Sequence, residues 1–414
     1  MTAKNILVYA DWVEETEPKL VGILSVEFLR GKEIYNFEYS DKFLRNNHRI
    51  FLDPHLSFYG GKQFPSDKNN FGLFMNSMPD TWGRLLMKRR EILLAKFEGR
   101  KPKILTDVDF LLGVQDVTRI GGLRFKLEQD GSFLDDSKNY PIPPWSSIRK
   151  LQQGISIIET SEDESEIRHW LKILLAPGSS LGGTRPKSNI LDQNKELWIA
   201  KFPSKNDTID KAAWEFLAYR LALRSGISMS VSQLHNISGP YSTFFTKRFD
   251  REAGTRKHFA SAMTMLGYNE DSLKDHTPSY LELAEFIQVQ CTDVKDQLSQ
   301  LWRRIVFNIA ISNKDDHLRN HGFLLTNKGW ILSPAFDINP SIEKEGLAIN
   351  IDEIDNSLDY ELAKSVGVYF QLSSKEMEKI ISEVKEVVKT WKDEAKSVGI
   401  SNAEIMSMSD AFNA

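Results

Sequence analysis

The chain has a single cysteine, Cys291, among 414 residues. One thiol excludes an internal disulfide and any zinc site built from several cysteines. Its neighbours Gln290 and Thr292 form no nucleophile signature. Long apolar runs are also missing, and none approaches the roughly eighteen residues that a membrane-spanning helix needs. The opening MTAKNILVYADWVEE turns acidic where a secretory leader would stay apolar. A cytoplasmic protein without a membrane partner is therefore expected. A surplus of positive charge is absent as well. With 53 basic against 57 acidic residues the formal net charge is −4, which argues against a surface that binds nucleic acid directly. The densest basic run, Lys88-Arg89-Arg90, fits the solvated face of a helix. Internal repeats and low-complexity tracts are lacking.

What is present is an ordinary globular composition, 41% hydrophobic and 27% charged, in a chain long enough for two or three domains. Strand-type residues fill 5–10, 20–30 and 33–40, with Gly31-Lys32 as a hairpin turn between the last two. From Asp80, the residues Trp82, Leu85, Leu86, Arg89 and Leu93 recur at helical spacing, and Asp80 or Ser77 is the expected cap. DVDFLLGV reads as a helix and GGLRFKLEQDG as a strand. Pro141, Pro143 and Pro144 mark a soft boundary.

Two helices, 145–158 and 164–176, then lead into the loop PGSSLGGTRPK. SNIL and ELWIAKF form a hairpin across residues 192–195, followed by a helix over 209–224 and the strand YSTFFTKRFDR. Helices are expected at 279–290, 294–311, 374–395 and 401–411. They are interrupted at 312–340, where GFLL and WILS flank Asn327-Lys328-Gly329. This order predicts an α+β, two-lobed, protein-kinase-like fold, with a β-rich N-terminal half and a mostly helical C-terminal lobe. The segments are 1–104, a kinase-type N-lobe over 105–250, and a C-lobe over 251–414.

The stretch SNKDDHLRNHGFLL packs two acids, two asparagines and two histidines directly before an apolar run. His317 and His321 have the i, i+4 spacing of a zinc helix, but HLRNH lacks the glutamate a metalloprotease needs after its first histidine. Phosphoryl transfer asks for a positioning carboxylate and oxygen ligands for Mg²⁺. Asp315 can orient a hydroxyl, and Asn320, five residues on, can reach a metal. A further acid follows the hairpin, Asp337 in SPAFDINP. Spacing to Asn320 favours Asp315 as the base, with Asp316 as second choice. Phe336-Asp337-Ile338 is not Asp-Phe-Gly, so the parallel with ordinary protein kinases is one of role and order. In SSLGGTRPKS, glycines let backbone N–H groups turn toward an anion, and Arg185 and Lys187 add charge. Lys201 ends a strand as the phosphate-gripping lysine of V-A-I-K does, and Glu215 in the next helix is the acid to pair with it. Lys247 to Phe249 would carry the backbone groups that meet adenine.

Together these stretches resemble the HipA-family serine/threonine kinases, the toxins of bacterial type II toxin–antitoxin pairs. The likeness is carried by SLGGTRPKSNIL, LWIAKFP, TKRFDR, NKDDHLRNHGFLL and LSPAFDINP, and upstream by MPDTWGRLLMKRR and RIGGLRF. It implies ATP and Mg²⁺ as cofactors, Asp315 as the catalytic aspartate, and Asn320 and Asp337 as metal ligands. It further implies that Lys201 holds the phosphates, with Gly182, Gly183 and Lys187 folding over them. Ser180, with Ser179 beside it, occupies the position whose phosphorylation in trans ejects the loop, and added negative charge beside a phosphate cradle accounts for that effect. The implied partners are a protein substrate of the translation machinery, such as an aminoacyl-tRNA synthetase, and a small HipB-like DNA-binding antitoxin through which any DNA contact is made. A small-molecule kinase with the same core, or an inactive kinase-like co-repressor, are the alternatives.

Overall fold

Alternating apolar residues turn KNILVYA into β1 (Lys4–Ala10), with Ile6, Val8 and Ala10 buried at every second position. It pairs antiparallel with β2 (Lys19–Leu29), which pairs with β3 (Lys32–Tyr39). The β2–β3 turn consists of Arg30 and Gly31, one residue earlier than Gly31-Lys32. Both have positive φ, 50° and 80°, as a type I′ hairpin requires, and Leu29 pairs with Lys32 across it. The chain is described here from a computed structural model that covers residues 4–12, 17–46, 50–66, 70–134, 142–178, 183–343 and 345–413. Its contacts divide it into two units, Met1–Asn206 with Asp250–Ala260, and Asp207–Phe249 with Ser261–Ala414.

In the first unit β4 (Leu123–Lys126) completes a four-stranded sheet of order β3-β2-β1-β4. Helix α1 (Thr81–Phe97) starts at Asp80, whose Oδ1 accepts the Thr81 N–H at 2.6 Å. It packs on α3 (Glu164–Gly178), which in turn packs on α2 (Ile148–Thr160). A hairpin follows, β5 (Lys187–Leu191) and β6 (Leu197–Lys201). Its turn is tied by Asp192, whose carboxylate accepts from the Asn194 and Glu196 N–H groups and the Trp198 indole. Beneath the sheet Arg119 is wholly buried. Its guanidinium donates to the carbonyls of Ser77, Leu111 and Val114 and lies 4.6 Å from the Phe125 ring centroid.

The second unit begins with α4 (Lys211–Arg224), capped by Asp210, and the antiparallel pair β7 (Ser232–His235) and β8 (Thr243–Lys247). Sequence reading passes over β7 because SQLH offers one apolar residue and no alternation. Helix α5 (Tyr280–Gln290) carries a Ser279/Glu282 capping box. Helix α6 (Val294–Ala310) buries Leu298, Leu301, Trp302, Ile305, Val306 and Phe307, and the Trp302 indole donates to the Ala363 carbonyl at 3.0 Å. It delivers the chain to the polar loop, after which β9 (Gly322–Thr326) and β10 (Gly329–Leu332) form the second hairpin.

The helix expected over 374–395 is two, α7 (Ser374–Val388) and α8 (Trp391–Val398). At the break the Thr390 hydroxyl donates to the Val387 carbonyl at 2.7 Å, competing with helical bonding. Likewise 401–411 is α9 (Asn402–Ser407) followed by a separate turn, Ser409–Ala411. There Ser407 and Ser409 hydroxyls occupy the Glu404 and Met406 carbonyls. Among the described residues no helix is long and apolar enough to cross a membrane.

The Arg119 contacts generate a prediction. Arg119→Ala removes three hydrogen bonds and a cation–π contact from a dry site, and should cost about 3 kcal/mol in urea unfolding. An unchanged midpoint would remove Arg119 from the core of the first unit.

Candidate active site

The loop after α6 separates its two adjacent acids. The Asp315 side chain is 84% exposed, whereas that of Asp316 is 4% exposed. Ser312, with φ 49°, turns the chain out of the helix. The Asp315 carbonyl then accepts from the His317 N–H at 3.0 Å and from Asn320 Nδ2 at 2.8 Å. This tight turn points consecutive residues to opposite sides.

Asp316 is the hub beneath it. Its Oδ2 accepts from the Tyr280 hydroxyl, from Asn308 Nδ2 at 2.8 Å and from His321 Nε2 at 3.0 Å. Burial alone would raise the Asp316 carboxyl, but the His321 imidazole and the bonds from His321 and Tyr280 hold it below the usual carboxylate range. Burial and the Asp316 charge push the Tyr280 hydroxyl well up. Burial pulls Arg304 down to about 10, with Asp316 and Tyr280 opposing that shift.

From the hub a line of amides runs outward. Asn308 Oδ1 accepts from Asn313 Nδ2 at 3.1 Å, and Asn313 Oδ1 accepts the Asn339 N–H at 3.4 Å. The polar loop is thereby linked to the segment that carries Asp337. Asp337 itself has φ 56°, a left-handed conformation that costs a non-glycine residue about 1 kcal/mol. Asn320 is buried and spends its NH₂ group on Asp315, which leaves Oδ1 with lone pairs to offer. An amide oxygen and a carboxylate are the donor types that Mg²⁺ takes, alongside water and phosphate.

In the first unit Lys187 and Lys201 are directly opposed across the β5–β6 hairpin, and both are buried. Gly183 has φ 81°, and a Cβ there would come within 2.6 Å of Lys187 Nζ, so any side chain would displace the ammonium. Its N–H donates to Asp80 Oδ2 at 2.5 Å and its carbonyl accepts the Trp82 N–H at 3.2 Å, while the Trp82 indole donates to the Lys187 carbonyl at 3.1 Å. The start of α1 thus holds the base of the glycine loop. Ser180, Ser179 and Gly182 lie outside the described residues. In the second unit, Glu215 is buried on α4, the Lys247 N–H donates to Val231 at 2.8 Å, and the Phe249 ring lies 5.5 Å from that of Phe336, beside Asp337.

A family model described as the HipA-like C-terminal domain matches residues 179–391, half of the chain and all of the segments just described from Gly183 to Phe336 and Asp337. The chain belongs to the HipA family. Among solved structures, this HipA-family chain is similar to HipA of Shewanella oneidensis MR-1, solved with HipB and operator DNA. The TM-score is 0.66 at 15% identity, over 98% of this chain and 94% of that one. It also matches the Helicobacter pylori proinflammatory kinase CtkA, at TM-score 0.36 and 15% identity, over 54% of this chain and 94% of CtkA. No curated protein matches it. The fold is accordingly α+β and shared with that HipA, as the order of elements predicts.

Sequence reading missed Tyr280 and Asn308, on α5 and α6, as supports of the HipA-family loop, and gave Asn313, the first residue of NKDDHLRNH, no role of its own. The signal for Asn308 is a lone asparagine within the apolar FNIAI of a buried helix face. Asp80 and Trp82 fall within MPDTWGR, but only the fold brings them to Gly183.

The hub has a pH signature. A carboxyl whose folded value is depressed stabilises the protein above the ordinary carboxylate range, and that stability is lost as pH falls through it. Asp316→Asn should cost about 3 kcal/mol near neutrality and flatten the acid limb of stability against pH. Urea unfolding at stepped pH reads both, and parallel curves for wild type and variant would contradict the assignment.

Proposed function

We propose that this chain is an ATP- and Mg²⁺-dependent serine/threonine protein kinase acting as the toxin of a toxin–antitoxin pair. The observation that carries this reading is the division of labour in the polar loop. A buried Asp316 fixes the loop, an exposed Asp315 is left for chemistry, and Asn320 Oδ1 is left to bind a cation.

In this reading Asp315 accepts the hydrogen bond of the attacking hydroxyl and takes its proton as the phosphoryl group transfers. Asn320 and Asp337 hold Mg²⁺, which when bound neutralises charge on the phosphate oxygens. Lys187 and Lys201, adjacent on one hairpin, bring two positive charges to the phosphates, and Gly183 lets the backbone approach them. Because the Lys247 N–H is committed to Val231, adenine is met by backbone groups beyond it, toward Phe249. Such a site works by positioning and electrostatics, since phosphoryl transfer asks little covalent chemistry of the protein.

The HipB and operator DNA solved with the Shewanella protein support a HipB-like DNA-binding antitoxin, with DNA contact made through that partner. A net charge of −4 fits this arrangement. The target is a hydroxyl on a protein of the translation machinery, an aminoacyl-tRNA synthetase being the expected kind. Ser180 is the proposed site of self-phosphorylation.

Intact mass of the purified protein after incubation with Mg²⁺ and ATP tests the reading. Wild type should gain one phosphate, mapped to Ser180 by peptide analysis. Asp315→Asn should slow that gain by about a hundredfold or more while melting as wild type does. Lys201→Met should slow it too, by weakening ATP binding. Transfer by Asp315→Asn at the wild-type rate would refute the assigned base, and a wild type that neither gains phosphate nor labels a lysate protein would refute the kinase reading.

A further inference from the structure

We infer that Asn413 is a positioning residue for the loop that carries Asp315. This rests on the kinase reading for its catalytic consequence, although the structural brace stands apart from it. The last carbonyls of a helix lack partners within the helix and must find them elsewhere. At the end of α6 the Ala310 carbonyl accepts the Asn413 N–H at 2.7 Å, and the Ile309 carbonyl accepts Asn413 Nδ2 at 3.2 Å. The same Nδ2 donates to Ser312 Oγ at 2.8 Å. Ser312 is the buried, left-handed residue that turns the chain into Asn313, Lys314 and Asp315. One side chain therefore caps the helix and grips the strained residue that aims the loop.

Asn413 is itself held firmly. The Tyr360 hydroxyl donates to its carbonyl at 2.6 Å. The preceding Phe412 ring stacks on Trp391 with centroids 4.0 Å apart and planes 7° from parallel, and lies 6.4 Å from Trp214. The Trp214 indole donates to Glu404 Oε2 at 3.0 Å, anchoring α9 to α4. Trp214 adjoins Glu215. Residues 404–413 thus form a strut from the helix that carries Glu215 to the loop that carries Asp315.

The test compares wild type with Asn413→Ala and Asn413→Gln by hydrogen exchange and by ATP-dependent transfer. In Asn413→Ala, exchange of the amides of residues 311–314 should speed up by about tenfold, with distant helices unchanged. The kcat of transfer should fall by about tenfold while KM for ATP stays within about twofold, the split expected when aim rather than binding is lost. Asn413→Gln, which restores an amide donor, should recover much of both. Unchanged exchange in Asn413→Ala overturns the brace. Faster exchange with unchanged kcat overturns the positioning role. If wild type transfers no phosphate, the kinase reading and that role fall together, while the exchange result still decides the brace.

Discussion

A carboxylate taken out of water costs several kcal/mol unless hydrogen bonds and charge repay it, and Asp316 is almost wholly out of water. Its three donors come from α5, from α6 and from the far end of its own loop. The loop can therefore adopt only the path that brings Tyr280, Asn308 and His321 to one oxygen. Once Asp316 is fixed inward, the turn that joins it to Asp315 sends the neighbouring acid outward. Burying one carboxylate is what exposes the other.

The same constraint reaches further along the chain. Asn308 contacts Asp316 with its Nδ2 and Asn313 with its Oδ1, and Asn313 in turn meets Asn339. Amide side chains suit this relay because each offers both a donor and an acceptor. A helix, a loop and the Asp337 segment are thus tied without any charge beyond the hub. Asn413 extends the logic to a fourth element, closing the helix end from the other side. In the first unit, α1 plays a comparable role toward the glycine loop, with Asp80 and Trp82 holding the backbone of Gly183 and Lys187.

Much of this was legible in the sequence where a local pattern carries the information. Alternation marked β1 to β3, and turn residues marked the 192–195 and 327–329 hairpins. The β2–β3 turn lies one residue earlier than the Gly31-Lys32 pattern suggests, because the paired positive φ values begin at Arg30, a residue with no turn signature. The break between α7 and α8 was invisible because a single threonine hydroxyl, not a proline or glycine, makes it. DDHLRNH located the loop, and spacing ranked Asp315 ahead of Asp316, but burial of one acid depends on Tyr280, 36 residues upstream. Asn413 is about a hundred residues from its partners, and no pattern in a single sequence relates them.

The measurement that tests the central claim most directly is a crystal structure with Mg²⁺ and a non-hydrolysable ATP analogue. The account predicts a metal held by Asn320 Oδ1 and the Asp337 carboxylate, an Asp315 carboxylate free of metal beside the terminal phosphate, and Asp316 still bonded to Tyr280, Asn308 and His321. Nucleotide bound away from the 312–320 loop, or Asp316 swung out of its hub to ligate the metal, would contradict it.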